Sequence, residues 1–244
     1  MDLYKKIPLS KTVEIVPAVL PKNFKDLREH LERIRGASVK CVQIDIIDGV
    51  FAHNRTWPYR DGDMFAKIVK EEHGLPLWDV FDFEFDLMIQ NPLERMMEFV
   101  NAGASRILVH AESTDALHAV QKLVDMREES GALPLKVGVA IACSEQPDAL
   151  EPFEAQFDYV QVMGIAKVGF QGQPFDVRAL HLLERLRVRY PELPLQVDGG
   201  VTLQNARELA KAGATGLIVG SAIFKADDPV AAIKELQAEA NRMV

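Results

Sequence analysis

Short apolar segments alternate along the chain with longer amphipathic segments. The apolar segments are rich in β-branched residues and predict strands, whereas apolar residues every three or four positions predict helices. The predicted strands cover residues 13–20, 39–47, 81–89, 105–110, 135–142, 159–163, 195–198 and 215–219. The predicted helices cover residues 23–35, 64–72, 113–129, 147–153, 176–190, 202–212 and 231–241, and a further helix begins at Asn91-Pro92.

This regular alternation predicts parallel strands, because each helix supplies the crossover that two parallel strands need. Eight strand-helix units in 244 residues favour a closed (β/α)8 barrel over an open sheet. We find no linker or low-complexity tract, so the sequence predicts a single α/β domain over residues 1–244.

Composition narrows the possible partners and the compartment. A net charge of −8 argues against binding to nucleic acid. Cys41 and Cys143 lie in apolar segments without metal-binding spacing, which indicates a reducing compartment. The chain has neither an apolar leader nor the ~18 uninterrupted apolar residues of a membrane span. We therefore expect a cytoplasmic protein without a membrane partner, and the sequence leaves open whether it forms a homo-oligomer.

Acidic residues and a histidine stand at the ends of several predicted strands. The carboxyl ends of barrel strands meet at one mouth, which would bring together Asp45, Asp86, His110 and Asp198. Asp45 and Asp198 would then flank a substrate from two sides, as two-base proton transfer requires. The alternative for each acid is a role in a turn or a helix cap.

Glycines follow the sixth, seventh and eighth strands, where their backbone N–H groups can approach a phosphate group. The predicted phosphate-binding residues are Gly169, Gly172, Gly199, Gly200, Gly220 and Ser221. The alternative is that these glycines only end helices or form tight turns.

Motifs in a fixed order from Val13 to Phe224 carry a family resemblance. They are Val-Pro-Ala-Val-Leu, Gln-Ile-Asp-Ile-Ile-Asp-Gly-Val-Phe, Asp-Leu-Met, Val-His-Ala-Glu, Gly-Phe-Gln-Gly-Gln-Pro-Phe, Val-Asp-Gly-Gly-Val and Gly-Ser-Ala-Ile-Phe. Together they resemble the ribulose-phosphate 3-epimerase family, whose fold is a ribulose-phosphate-binding barrel. The resemblance implies that Asp45 and Asp198 are catalytic, and that both bind a divalent metal ion that steadies an enediolate.

Two departures from the family pattern concern the metal. The family completes its metal site with two histidines, and the matching positions are Gln43 and Asp86. An oxygen shell of Gln43, Asp45, Asp86 and Asp198 would favour Mg²⁺ or Mn²⁺ over zinc. Alternatively no metal binds, and the crowded carboxylates raise the pKa of at least one of them.

Other positions concern the substrate. Ala18 replaces a family serine, and the loop at residues 166–172 is one residue longer and carries Lys167, a candidate for binding an anion. Met88 and Met163 match family methionines that line the site, although they also suit a core-filling role, and His110 has a family counterpart.

Two functions follow from these patterns. The first is a sugar-phosphate epimerase that moves a proton on a phosphorylated ketose through an enediolate. The second is a barrel that has lost this activity and binds a phosphorylated ligand or a partner, or that catalyses a different sugar-phosphate reaction. The chain lacks the Asp-x-Lys-x-x-Asp cluster of phosphate-barrel decarboxylases.

Overall fold

Eight parallel strands close into a barrel in the computed structural model, which describes residues 12–131, 134–154, 156–170 and 172–242. The strands pair in chain order, and β8 pairs with β1. They are β1 Glu14–Val19, β2 Cys41–Ile47, β3 Asp82–Met88, β4 Arg106–His110, β5 Lys136–Ile141, β6 Tyr159–Met163, β7 Leu195–Asp198 and β8 Gly216–Val219. The predicted (β/α)8 barrel is confirmed. The single domain predicted for residues 1–244 includes residues 1–11 and 243–244, which lie outside the described ranges.

Helices cover the outside of the barrel. They are α1 Phe24–Arg33, α2 Phe65–Val69, α3 Pro92–Asn101, α4 Ala116–Ser130, α5 Val177–Arg189, α6 Leu203–Lys211, α7 Ser221–Phe224 and α8 Pro229–Ala240. No helix in the described part of the chain is long and apolar enough to cross a membrane.

Two helical segments differ from their predictions. Helix α2 is shorter than residues 64–72, because Met64 and Glu71 have positive φ angles of 62° and 60° that interrupt the helix on either side. Residues Pro147–Phe153 form a 3₁₀ helix. Pro152 lies inside this segment, and its missing N–H group and fixed ring disfavour a regular α-helix.

The apolar core lies between the strands and the helices. In β3, Phe83, Phe85 and Leu87 belong to this outer core, and the Phe85 ring packs 5.3 Å from the Phe99 ring of α3. The alternate residues of β3 therefore point into the barrel, because successive side chains of a strand point to opposite faces. This alternation turns Glu84 and Asp86 inward, where both are buried.

The barrel interior is unusually polar. Gln196 of β7 donates a hydrogen bond of 3.2 Å to Glu84 of β3, and these strands are not neighbours, so the bond crosses the interior. Arg106 of β4 forms ion pairs with Glu14 at 3.1 Å and with Glu84 at 3.7 Å. Burial raises the pKa of Glu84 to about 7, although Arg106 opposes this shift. Polar side chains thus occupy positions that apolar branched residues usually fill.

Candidate active site

Three aspartates meet inside the carboxyl-terminal mouth of the barrel. Asp45 lies on β2 opposite Asp86 on β3, and Asp198 ends β7. One carboxylate oxygen from each of the three lies within 4.8 Å of the others. Asp45 and Asp86 are buried, and the carboxyl group of Asp198 is buried as well, although the residue as a whole is partly exposed. The structure therefore brings together the three acids that the strand ends predict.

Asp45 is held by the residues around the end of β2. Gln43 Nε2 donates to Asp45 Oδ1 at 2.9 Å. The Thr56 hydroxyl donates to the Asp45 carbonyl oxygen at 2.6 Å and accepts from the Ile47 N–H at 2.8 Å. The loop after β2 thus folds back and fixes the strand end that carries Asp45. Sequence reasoning missed Thr56, because its role depends on this return of the loop.

Asp86 is held on both carboxylate oxygens. His110 Nε2 lies 2.8 Å from Asp86 Oδ1, and Gln161 Nε2 donates to Asp86 Oδ2 at 3.4 Å. The Phe51 ring packs 4.9 Å from the His110 ring. Burial lowers the pKa of His110, but the charge and hydrogen bond of Asp86 outweigh burial and leave it raised. His110 therefore orients Asp86.

Gln161 was missed by sequence reasoning, although a signal for it exists. It lies on β6 two residues before Met163, and side chains two residues apart in a strand point to the same face. A polar residue at an inward-pointing position of an otherwise apolar strand indicates a hydrogen-bond partner inside the barrel.

Crowding changes the protonation of the acids. Burial raises the pKa of Asp45, and the charges of Asp198 and Asp86 raise it further. Burial and the charge of Asp86 also raise the pKa of Asp198, to about 8, although His110 opposes the shift. Carboxyl groups with raised pKa values can hold and release protons near neutral pH, which general acid-base catalysis requires.

A cavity opens at the mouth above the acids. Its lining includes most of the predicted site residues, namely Asp45, Met88, Met163, Gly169, Gly172, Asp198, Gly199, Gly200, Gly220 and Ser221. Ala18, Leu20, Ile165, Phe170, Val201 and Ile218 complete the lining. Gln43, Asp86 and His110 are buried within the barrel and contribute to this site through their contacts with other residues rather than as cavity walls. Lys167 is exposed on the loop after β6, and Gln171 of that loop lies outside the described residues.

The backbone conformation directly after β7 requires two glycines. Gly199 and Gly200 have φ angles of +102° and +68°, in the left-handed region that other residues rarely adopt. A Cβ atom at Gly200 would also lie only 2.6 Å from the Phe175 Cα atom. The turn at the cavity wall therefore needs glycine, and it leaves backbone rather than side chains next to a ligand.

Comparison with known proteins agrees with this geometry. The model of the ribulose-phosphate 3-epimerase family matches residues 14–224. The chain belongs to this family. Among curated relatives, this family member is 31% identical over 228 residues to the chloroplastic ribulose-5-phosphate-3-epimerase of Arabidopsis thaliana, with 92% of this chain and 76% of the relative covered. It is 30% identical over 227 residues to the ribulose-phosphate 3-epimerase of Aquifex aeolicus, with 91% and 95% covered.

A solved structure supports the fold of this epimerase-family barrel. The 3-hexulose-6-phosphate synthase of Salmonella typhimurium superposes with a TM-score of 0.67 at 19% identity, covering 95% of this chain and 100% of that chain. At this identity the likeness concerns the fold alone. The family resemblance that the motifs predict is thus confirmed by the family match, and the barrel by the structure.

The donor atoms of this family member can hold a divalent cation. Asp45, Asp86 and Asp198 offer carboxylate oxygens, and the buried Gln43 Oε1 has no hydrogen-bond partner among the described residues. Oxygen donors of this kind suit hard ions such as Mg²⁺ or Mn²⁺. The imidazole of His110, which lies beside Asp86, is engaged by that carboxylate through Nε2. The residues present therefore fit an oxygen-bound cation.

The raised pKa of Asp198 predicts how stability depends on pH in protein freed of divalent cations. Folded protein keeps the Asp198 proton up to a pKa of about 8, whereas the unfolded chain releases it near the ordinary 3.8. The free energy of unfolding should therefore fall as the pH rises from about 4 to about 8. Asp198→Asn cannot lose this proton, so it should flatten the fall and exceed wild type at pH 8 by about 1–3 kcal/mol, measured by urea denaturation.

Asp176→Asn is the matched control for this measurement. Hydrogen bonds from Arg178 lower the pKa of Asp176 to about 2, so this group is ionised in both the folded and the unfolded state above pH ~5.5. Its replacement should leave the slope of stability against pH unchanged above that pH. An Asp198→Asn variant with the same slope as wild type would contradict the assignment.

Proposed function

We propose that this family member epimerises a phosphorylated ketose by proton transfer at the carbon next to the carbonyl group. Asp45 and Asp198 are the two acid-base groups. The observation that carries the proposal is their placement: they come from non-adjacent strands, both line the cavity, and both have raised pKa values. The membership in the ribulose-phosphate 3-epimerase family supports the same reaction class.

The two acids divide the reaction into two proton transfers. One aspartate, as carboxylate, takes the proton from carbon, and the electron pair of the broken C–H bond forms the double bond of an enediolate while the carbonyl oxygen becomes negative. The other aspartate, as carboxylic acid, then gives a proton to the opposite face of the same carbon. The configuration inverts, and the two acids exchange protonation states.

Mg²⁺ or Mn²⁺ is the cofactor that the donor atoms favour. Asp45, Asp86, Asp198 and Gln43 would hold it. When bound, a divalent cation supplies Lewis-acid stabilisation to negative charge that develops on the substrate oxygens. His110 and Gln161 keep the carboxylate of Asp86 oriented through hydrogen bonds to its two oxygens. Such support of a ligand usually matters for both affinity and orientation.

The phosphate group of the substrate belongs at the glycine turns. Gly199 and Gly200 follow β7, and Gly220 and Ser221 follow β8, so backbone groups from adjacent strands border one end of the cavity. The first N–H groups of α7 have no partner within their own helix, which leaves them available to an anion. The names of the curated relatives support a phosphorylated ketose as the substrate class.

A second function is favoured by one observation. Ala18 borders the cavity where the family pattern has serine, so one hydroxyl donor to a substrate is absent from this wall. A barrel that binds a phosphorylated ligand without epimerising it, or that runs another sugar-phosphate reaction, fits this change. Turnover decides between the two functions.

Turnover of D-ribulose 5-phosphate tests the proposed function. Wild-type protein supplied with Mg²⁺ or Mn²⁺ should form the C3 epimer, followed by NMR. Asp45→Asn and Asp198→Asn should each lower kcat at least ~100-fold, because each removes one acid-base group. Asp227→Asn, an exposed aspartate between α7 and α8, serves as the matched control and should keep wild-type turnover. Wild-type turnover in Asp198→Asn would contradict the mechanism.

Metal binding tests the role of the oxygen shell separately from turnover. In protein treated with a chelator, Mn²⁺ or Mg²⁺ should raise Tm, and calorimetry should report at least ~10-fold weaker Mn²⁺ binding for Asp86→Asn, since one donor loses its charge. Asp227→Asn again serves as the control. Unchanged Mn²⁺ affinity in Asp86→Asn would show that this carboxylate does not belong to the metal site.

A further inference from the structure

Lys225 places a cation beside the glycine end of the cavity. It follows directly after α7, whose first residue Ser221 lines the cavity. Its ammonium group lies against the loop after β6, since a Cβ atom at Gly172 would be only 3.3 Å from Lys225 Nζ. Gly172 also lines the cavity. The ammonium group therefore stands where the loops after β6 and β8 meet.

The backbone of Lys225 is held on both sides. The Arg33 guanidinium of α1 donates to the carbonyl oxygen of Phe224 at 3.0 Å and to that of Ala226 at 3.4 Å. The N–H group of Lys225 itself donates to the Ser221 carbonyl oxygen at 3.1 Å. These bonds fix the point from which the lysine side chain extends, which lowers the entropy lost when it binds a ligand.

The charged groups that line the cavity are acidic. The side chains that line the cavity include two carboxyl groups, those of Asp45 and Asp198, and no basic group among the described residues. A cation beside this cavity attracts a phosphate dianion that enters it. Within the described part of the chain, Lys225 has no carboxylate in ion-pair contact, so its charge is not already neutralised.

We propose that Lys225 Nζ binds the phosphate group of the substrate and makes the site selective for phosphorylated ligands. The inference rests on the proposed function in that the ligand is a sugar phosphate. Backbone groups of the glycine turns provide hydrogen bonds without net charge, whereas Lys225 provides the charge that distinguishes a phosphate dianion from a neutral hydroxyl group.

This role predicts a particular kinetic signature. The phosphate group does not react, so its contact with Lys225 is equally strong in the bound substrate and in the transition state. Loss of such a contact raises KM and leaves kcat unchanged. A structural role for Lys225 would instead lower Tm and would not change phosphate affinity selectively.

The test compares Lys225→Met and Lys225→Arg with Lys234→Met, an exposed lysine on α8. Calorimetry with inorganic phosphate and KM for D-ribulose 5-phosphate are the two readouts, with Tm as the check on folding. We expect Lys225→Met to weaken phosphate binding and raise KM about tenfold, the effect of one charged hydrogen bond. Lys225→Arg should stay within about threefold of wild type, because it keeps the charge, and Lys234→Met should match wild type.

Failure of this inference is distinguishable from failure of the proposed function. If wild type turns over no ketose phosphate but Lys225→Met still loses phosphate affinity, the function is wrong and the role of Lys225 stands. If folded Lys225→Met binds phosphate as tightly as wild type, or if wild type binds none, the role of Lys225 is wrong whatever the turnover shows.

Discussion

Three carboxyl groups confined within 4.8 Å of one another are the constraint on which the rest of this site depends. Like charges at this distance in a buried place repel, so at least part of the cluster must keep a proton or meet a cation. The closed barrel creates the constraint, because it brings strand ends that are distant in sequence to one mouth. Such a cluster lowers the stability of the folded protein, and functional sites commonly carry such a cost.

The neighbouring residues can be understood as responses to this crowding. Gln43 donates to Asp45, while His110 and Gln161 donate to Asp86, so each buried carboxylate has a fixed partner. Positions 43 and 86, where the motif resemblance implies two histidines, carry an amide and a third carboxylate in this chain. His110 lies against this third carboxylate, Asp86, and the contact raises the pKa of His110. The donor atoms at this site are therefore all oxygens, and the basic partner His110 lies behind Asp86.

Much of the fold and of the acid cluster could be predicted from the sequence. Strand and helix periodicity located the barrel, and Asp45, Asp86 and Asp198 stood at strand ends where the topology requires them to meet. Contacts between non-adjacent elements were not predictable. Gln161 reaches Asp86 across the interior, and Thr56 reaches β2 only because its loop turns back. Lys225 lies beside the cavity through its closeness to Gly172, which belongs to a different loop.

Deuterium exchange in single-acid variants tests the two-aspartate account most directly. Asp45→Asn and Asp198→Asn would each be incubated in D₂O with D-ribulose 5-phosphate and, separately, with its C3 epimer, and deuterium at C3 followed by NMR. Each variant retains one base that faces one side of the carbon, so each should exchange one epimer without inversion, and the two variants should exchange opposite epimers. Exchange of the same epimer by both variants, or of both epimers at the wild-type rate by either, would contradict the account.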